Sequence, residues 1–342
     1  MTLDGNNISS FLITLNGNSY GYILENLVFM RGKANGPQCY LVNCYDLVIR
    51  NCRFENPASA GDLVAIAGSK ITVDGCFFTR TTIPGGGLTS GHLEECKIIN
   101  CIWEDYDGYG AVSLENFGAF DNILIMGNSF RNTTKGAAIL TVVDANPSGV
   151  SPGYTHNRIS IIGNHLINSG SIQLREKTSN VLIQANQLEN TTGISISAST
   201  NCVISNNIIR NTNQNHPIIM YELDASNVII QGNIIENSIK QAITLRATHN
   251  FQIKDNIIAN PCLVQDDTCN AIHIQNYGGV ISDYGKITGN TVIAAANQKP
   301  EYSIYVEGNY IEVKDNRVRG YTQGAIGQGN GVGIKVTDNQ IL

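Results

Sequence analysis

The sequence has no apolar run long enough to span a membrane and no cluster of lysine or arginine. Its 22 basic residues are outnumbered by 28 acidic ones, for a formal net charge of −6. That balance gives no footing for a nucleic-acid partner, and neither nucleic acid nor membrane is expected. Met1 is not followed by the basic, apolar and small-residue succession of a secretory signal. No His, Cys, Asp or Glu set has metal-ligand spacing, so no metal or other cofactor is expected, and no clear motif supports calcium.

What the chain does have is one phrase, repeated. Asn227 to Asn237 reads NVIIQGNIIEN and Asn201 to Asn211 reads NCVISNNIIRN, with further copies at Asn122, Arg158, Asn180 and Asn250. Weaker copies begin at Gly285, Tyr310 and Gly333. Toward the N-terminus the frame holds while the central residue changes. The centres are Leu27, Cys52, Cys76, Cys101, Asn128, Asn164, Asn186, Asn207, Asn233, Asn256, Asn290, Asn316 and Asn339, thirteen in all. Ten of the twelve intervals fall between 21 and 27 residues, and two are longer by about ten.

Within a copy the pattern alternates. Val228 and Ile230 point one way, Ile229 and Gln231 the other, which is strand periodicity. A second strand begins at Ile234 and a third covers Ala242 to Leu245, with polar turns between them. Three short strands per repeat make one coil of a parallel β-helix, stacked on the next at ~4.8 Å, so thirteen coils predict a rod of roughly 60 Å. The central asparagine suits a tight turn because it tolerates a left-handed backbone, and its amide can bond the amides one coil above and below. Cys52, Cys76 and Cys101 continue that ladder as small buried groups, and Cys96 and Cys202 fall at inward strand positions.

Of the nine cysteines only Cys262 and Cys269, bracketing LVQDDT, form a plausible disulfide or loop clamp. Isolated buried thiols suit folding in a reducing cytoplasm. The unbroken repeat predicts a single solenoid domain over 1–342. Neither end carries a polar cap, so neighbouring domains or partner chains are expected to cover them.

On this repeat the chain resembles the right-handed parallel β-helix superfamily from about Tyr20 to Leu342. That group includes pectate-lyase-like enzymes, polygalacturonases, alginate-modifying enzymes and phage tailspikes. The resemblance implies an all-β, right-handed parallel β-helix. It carries neither the Asp-rich signature of polygalacturonases nor a set of pectate-lyase calcium ligands.

The two long intervals locate loop insertions at 144–157 and near 260–285. Glycine- and proline-rich insertions on a regular solenoid are where function concentrates. They lie five coils apart, a gap of roughly 24 Å, which accommodates a few units of an extended polysaccharide. Gln173, Ser195, Ile219, Thr244 and His273 face outward between them, with Arg175, Tyr221, Arg246, His249 and Gln275 along the adjoining turn.

Two chemistries compete there. Glycoside hydrolysis needs two carboxyl groups, for which Glu222 comes first and Asp144, Glu176 or Asp224 second. Polyuronate elimination or epimerisation needs a base and cations on the uronate carboxylate, for which Arg175, Tyr221, Arg246, His249 and His273 serve. Gln173 and Gln275 join Arg175, Tyr221, Arg246 and His273 as substrate-binding candidates. The expectation placed first is a tailspike-like depolymerase hydrolysing a bacterial surface polysaccharide. The uronate lyase or epimerase and a non-catalytic adhesive fibre module are its alternatives. A homotrimer and an extracellular or virion-borne setting accompany it.

Overall fold

The computed structural model describes residues 1–4, 12–31, 37–55, 63–80, 86–106, 110–115, 120–133, 137–142, 156–175, 178–213, 216–221, 225–264, 269–295 and 299–342. Among them every regular element is a β-strand. The chain divides into two compact units, Met1–Arg175 and Glu176–Leu342.

In the second unit one turn consists of the strands Ala225–Gln231, Ile234–Ser238 and Ile243–Arg246. Each pairs in parallel with its counterpart one turn on, so that Val228 opposes Phe251, Ile235 opposes Ile258 and Ile243 opposes Ile272. The alternation in sequence is the alternation in burial. Val228 and Ile230 are fully buried, while Ile229 and Gln231 are half-buried on the outer face.

The asparagine ladder runs through the interior. The backbone N–H and the Nδ2 of Asn233 both donate to Oδ1 of Asn256, at 3.0 and 2.9 Å, and the same Nδ2 donates to the Ile204 carbonyl at 3.0 Å. Asn207, Asn256, Asn290 and Asn316 repeat the pattern with their successors. Backbone groups at a buried turn need such partners, because leaving one unpaired costs about 1–3 kcal/mol.

The left-handed residue is not the ladder asparagine. Positive φ falls one position earlier, at Asn206, Gly232, Asp255, Gly289, Asp315 and Asp338. The turn is made by that residue, which leaves the following asparagine free to aim its amide inward. Left-handed asparagines do form ladders, on the outside. Asn201, Asn227 and Asn250, at φ 54, 55 and 50°, donate in succession to Asn180, Asn201 and Asn227.

The first unit uses the same plan with different fillings. Cys101 N–H donates to Asn128 Oδ1 at 2.8 Å and Cys76 N–H approaches Cys101 Sγ at 3.4 Å, so thiols extend the amide ladder. Beside them Phe29, Phe54, Phe78, Trp103 and Phe130 stack in one buried file with centroids 4.7–5.0 Å apart. That spacing is set by the strand repeat, and offset stacking adds about 0.5–1.5 kcal/mol per pair beyond burial.

Among the described residues the turns number about 11, two fewer than the thirteen coils the ladder centres predict. The outermost centres, Leu27 and Asn339, have a neighbouring centre on one side only. Cys262 and Cys269 are disulfide-bonded, and the other seven cysteines are free and buried.

Candidate active site

Six strands of the second unit stack to form one outward face: Ile194–Ile196, Ile218–Met220, Ile243–Arg246, Ile272–Gln275, Tyr302–Val306 and Gly324–Gln328. Their register places Ser195, Ile219, Thr244, His273, Tyr305 and Gly327 in a single file. The flanking Ile and Leu side chains point into the core, so period-two alternation obliges these residues to point out. Arg246 lies opposite Gln275 two positions along the same strands.

Thr244 faces outward yet is only 1% exposed. His216 accounts for part of its cover: Thr244 Oγ1 and His216 Nδ1 are 3.1 Å apart. Arg246 is held from two sides. Its Nε donates to Gln275 Oε1 at 3.1 Å, and its guanidinium carbon stands 5.3 Å from the centroid of the Tyr277 ring. Tyr277 is fixed by a tight turn in which it exchanges backbone hydrogen bonds with Val280, at 3.1 and 3.0 Å. Gly278 and Gly279 supply the positive φ that such a turn requires.

These groups share one electrostatic environment. Burial pushes the His273 imidazole down to about 4, with the Arg246 charge adding to the effect. Burial does the same to His216, also to about 4, followed by the Lys240 and Arg246 charges and His273 itself. Both imidazoles are therefore neutral near pH 7. The Nε2 of His273 is buried and has no hydrogen-bond partner among the described residues. A polar atom left so is costly unless something satisfies it.

Tyr305 meets the His273 ring edge-on with centroids 5.4 Å apart, and Tyr302 lies 5.3 Å from Tyr305. Burial raises the Tyr305 phenol above its ordinary value, with Glu307, Tyr302 and Glu301 adding to the effect. The face is thus graded, from Arg246 and Lys240 at one end to Glu301 and Glu307 at the other.

Of the substrate-binding candidates, Arg246, His273 and Gln275 stand together on this face, and Tyr221 directly follows the strand Ile218–Met220. Gln173 and Arg175 belong to the first unit, Gln173 half-buried and Arg175 exposed. The four carboxylates of the hydrolytic reading, Asp144, Glu176, Glu222 and Asp224, lie outside the described residues. His249 is engaged elsewhere: its Nδ1 is 2.7 Å from Asp283 Oδ1 on the next turn. Sequence reasoning missed His216, Tyr302 and Tyr305. Tyr305 was findable, since it sits one repeat after His273 in the same outward phase of YSIYV. His216 sits ahead of its strand, and no periodicity marks it.

The profile described as the right handed beta helix region matches residues 89–258 and 177–341. Among solved structures the chain is similar to the A-module of the Azotobacter vinelandii mannuronan C-5 epimerase AlgE6. Identity is 11% and the TM-score 0.55, over 100% of this chain and 88% of that one. It is also similar to the Dettilon tailspike protein, at 14% identity and a TM-score of 0.52, over 92% of this chain and 62% of that one. The chain therefore spans less than two thirds of the tailspike. No curated protein matches it.

Proposed function

Because the chain belongs to the right-handed β-helix family, whose stacked turns line outward side chains into files, we propose that it is a carbohydrate-active protein whose Arg246–His273–Tyr305 face acts on an acidic polysaccharide. The reaction is removal of the C5 proton beside a uronate carboxylate, leading to elimination or epimerisation. One observation carries this reading: a neutral imidazole, His273, stands in the outward file one turn from a guanidinium, Arg246, that Gln275 holds in place and whose charge acts on it.

The chemistry follows from charge. A uronate C5–H is too weakly acidic to lose while its carboxylate stays fully anionic, and the Arg246 guanidinium offsets that charge as the proton leaves. The His273 imidazole takes the proton, and the electron pair moves into the carboxylate. On the elimination path the pair returns, C4–O4 breaks, C4=C5 forms, and the Tyr305 hydroxyl donates its proton to the departing O4. On the epimerisation path a water on the opposite face gives C5 its proton, and the protonated His273 returns its own proton to the hydroxide so formed. The graded surface suits an extended chain, its acidic groups toward Arg246 and its hydroxyls toward Glu301, Glu307 and Tyr302.

Hydrolysis remains the second reading, supported by Glu301 and Glu307, whose charges both reach Tyr305. An extracellular or virion-borne setting fits either chemistry, since both act on surface polymers.

The test is incubation with acidic and neutral polysaccharides in heavy water. The expected result is deuterium at C5, or an unsaturated product by ultraviolet absorbance, lost in His273→Ala. New reducing ends with neither signal would make hydrolysis the answer.

A further inference from the structure

The outer asparagine ladder of the second unit ends abruptly. Register places Tyr284, Tyr310 and Gly333 in the slot that follows Asn250, since Gln252 opposes Lys286, Lys286 opposes Glu312 and Glu312 opposes Lys335. Asparagine tolerates this left-handed slot, whereas a bulky aromatic there is an outlier. Yet Tyr284 and Tyr310 adopt φ of 52° and 54°. Their rings stack at 5.4 Å and 12°, while the residues stay 61% and 55% exposed. Stacking that leaves both so open does little for the fold, and strained positions of this kind concentrate at ligand sites.

The surroundings are built to match. The two rings border an open groove of about 420 Å³ that Asn250, Lys286, Glu312 and Lys335 also line. Gly333 lets the Tyr310 ring rest against the next turn, because a Cβ there would come 2.9 Å from Tyr310 Cδ1. Lys286, Glu312 and Lys335 form an outward file of alternating charge with one positive charge in excess. Among the described residues no ion pair joins them.

We propose that this groove is a second carbohydrate-contact site, separate from the His273 face, that holds an acidic sugar residue without reacting with it. The apolar face of the pyranose lies along the Tyr284–Tyr310 surface, and its carboxylate meets the Lys286 and Lys335 ammoniums. Glu312 accepts from a hydroxyl. The site sits on the strands Lys286–Thr288, Glu312–Lys314 and Lys335–Thr337. It therefore contributes hold on a polymer, not chemistry.

The test is calorimetric binding of hexasaccharides of polymannuronate, polygalacturonate and cellulose to the full chain. Tyr310→Asn is the informative variant, because it restores the residue the slot carries at Asn250. It is expected to melt no lower than the wild type while binding an acidic hexasaccharide about tenfold more weakly. Lys335→Ala is expected to weaken it by a similar factor, and Tyr20→Ala, an exposed tyrosine stacked on the half-buried Tyr45 in the first unit, to change nothing. Tyr310→Asn binding like the wild type would overturn the site. So would a wild type that binds none of the acidic hexasaccharides, or binds the cellulose one equally well. The reaction reading stands or falls separately, on activity lost in His273→Ala.

Discussion

The ring of Tyr305 stands at 78° to that of His273 and rests on the backbone of Gly327 in the next turn. A Cβ at 327 would come 2.6 Å from Tyr305 Cδ2 and 2.7 Å from Tyr302 Cδ1. The glycine therefore sets where both tyrosines lie. Gly327→Ala is expected to destabilise the fold by about 1–3 kcal/mol through overpacking. It is also expected to lower kcat more than tenfold by displacing Tyr305, which steady-state kinetics on an acidic polymer would read, an order-of-magnitude figure for a misplaced group.

His216 and His273 titrate near 4 in the folded chain against 6.5 when exposed. Between those values the unfolded chain binds more protons. Stability is accordingly full above about pH 6.5, falls as pH drops toward 4, and levels below it. The loss is bounded by roughly 3 kcal/mol per imidazole. Urea melts across this range check the slope, which His273→Phe should reduce. The acid limb of kcat/KM should likewise lie nearer 4 than 6.5.

Arg246→Lys keeps the charge and loses the planar fork that bonds Gln275 and faces Tyr277. The expected result is a fall of about ten- to a hundredfold in kcat/KM on an acidic polymer, with melting temperature little changed. An unaltered rate would remove Arg246 from the reaction.

Asn233→Ala takes away the acceptor of two Asn207 donors and the donor to the Ile204 carbonyl, all inside the core. A loss of about 2–4 kcal/mol is expected. Asn227→Gly, at an exposed left-handed position, is expected to stay within about 1 kcal/mol. Denaturant melts of the two variants separate inner from outer ladder.

Burial pushes the Cys96 and Cys202 thiols up to about 12, and the neighbouring Cys101 thiol does the same for Cys76. Alkylation of the native protein is expected to label none of the seven free cysteines, denaturation to expose all seven, and reduction to add Cys262 and Cys269. Mass spectrometry counts the labels.

The fold was legible because its signal repeats. The phrase around Asn233 recurs, and a ladder residue must return in every turn for its amide to find a partner. The role of that residue was half legible: its stacking followed from chemistry, but the left-handed bend belongs to its predecessor, as at Gly232. The aromatic file from Phe29 to Phe130 was readable from position alone and was missed, because the apolar residue two after each centre looks interchangeable with leucine. At the site, the outward phase of Thr244 and His273 is fixed by alternation. That Arg246 reaches Gln275 and Tyr277, or that His216 crosses to Thr244, depends on turn conformations that a period does not encode.

The interior asparagines make each turn present the same polar face above and below. A turn is therefore an exchangeable module. Excising residues 208–233 would bring Asn207 directly before Ile234 and leave its amide facing Asn256, the partner that Asn233 has now. Such a chain can lengthen or shorten by whole turns over evolutionary time, with partial insertions confined to the loops between strands. The site on the outer face then depends on which turns have been kept as neighbours.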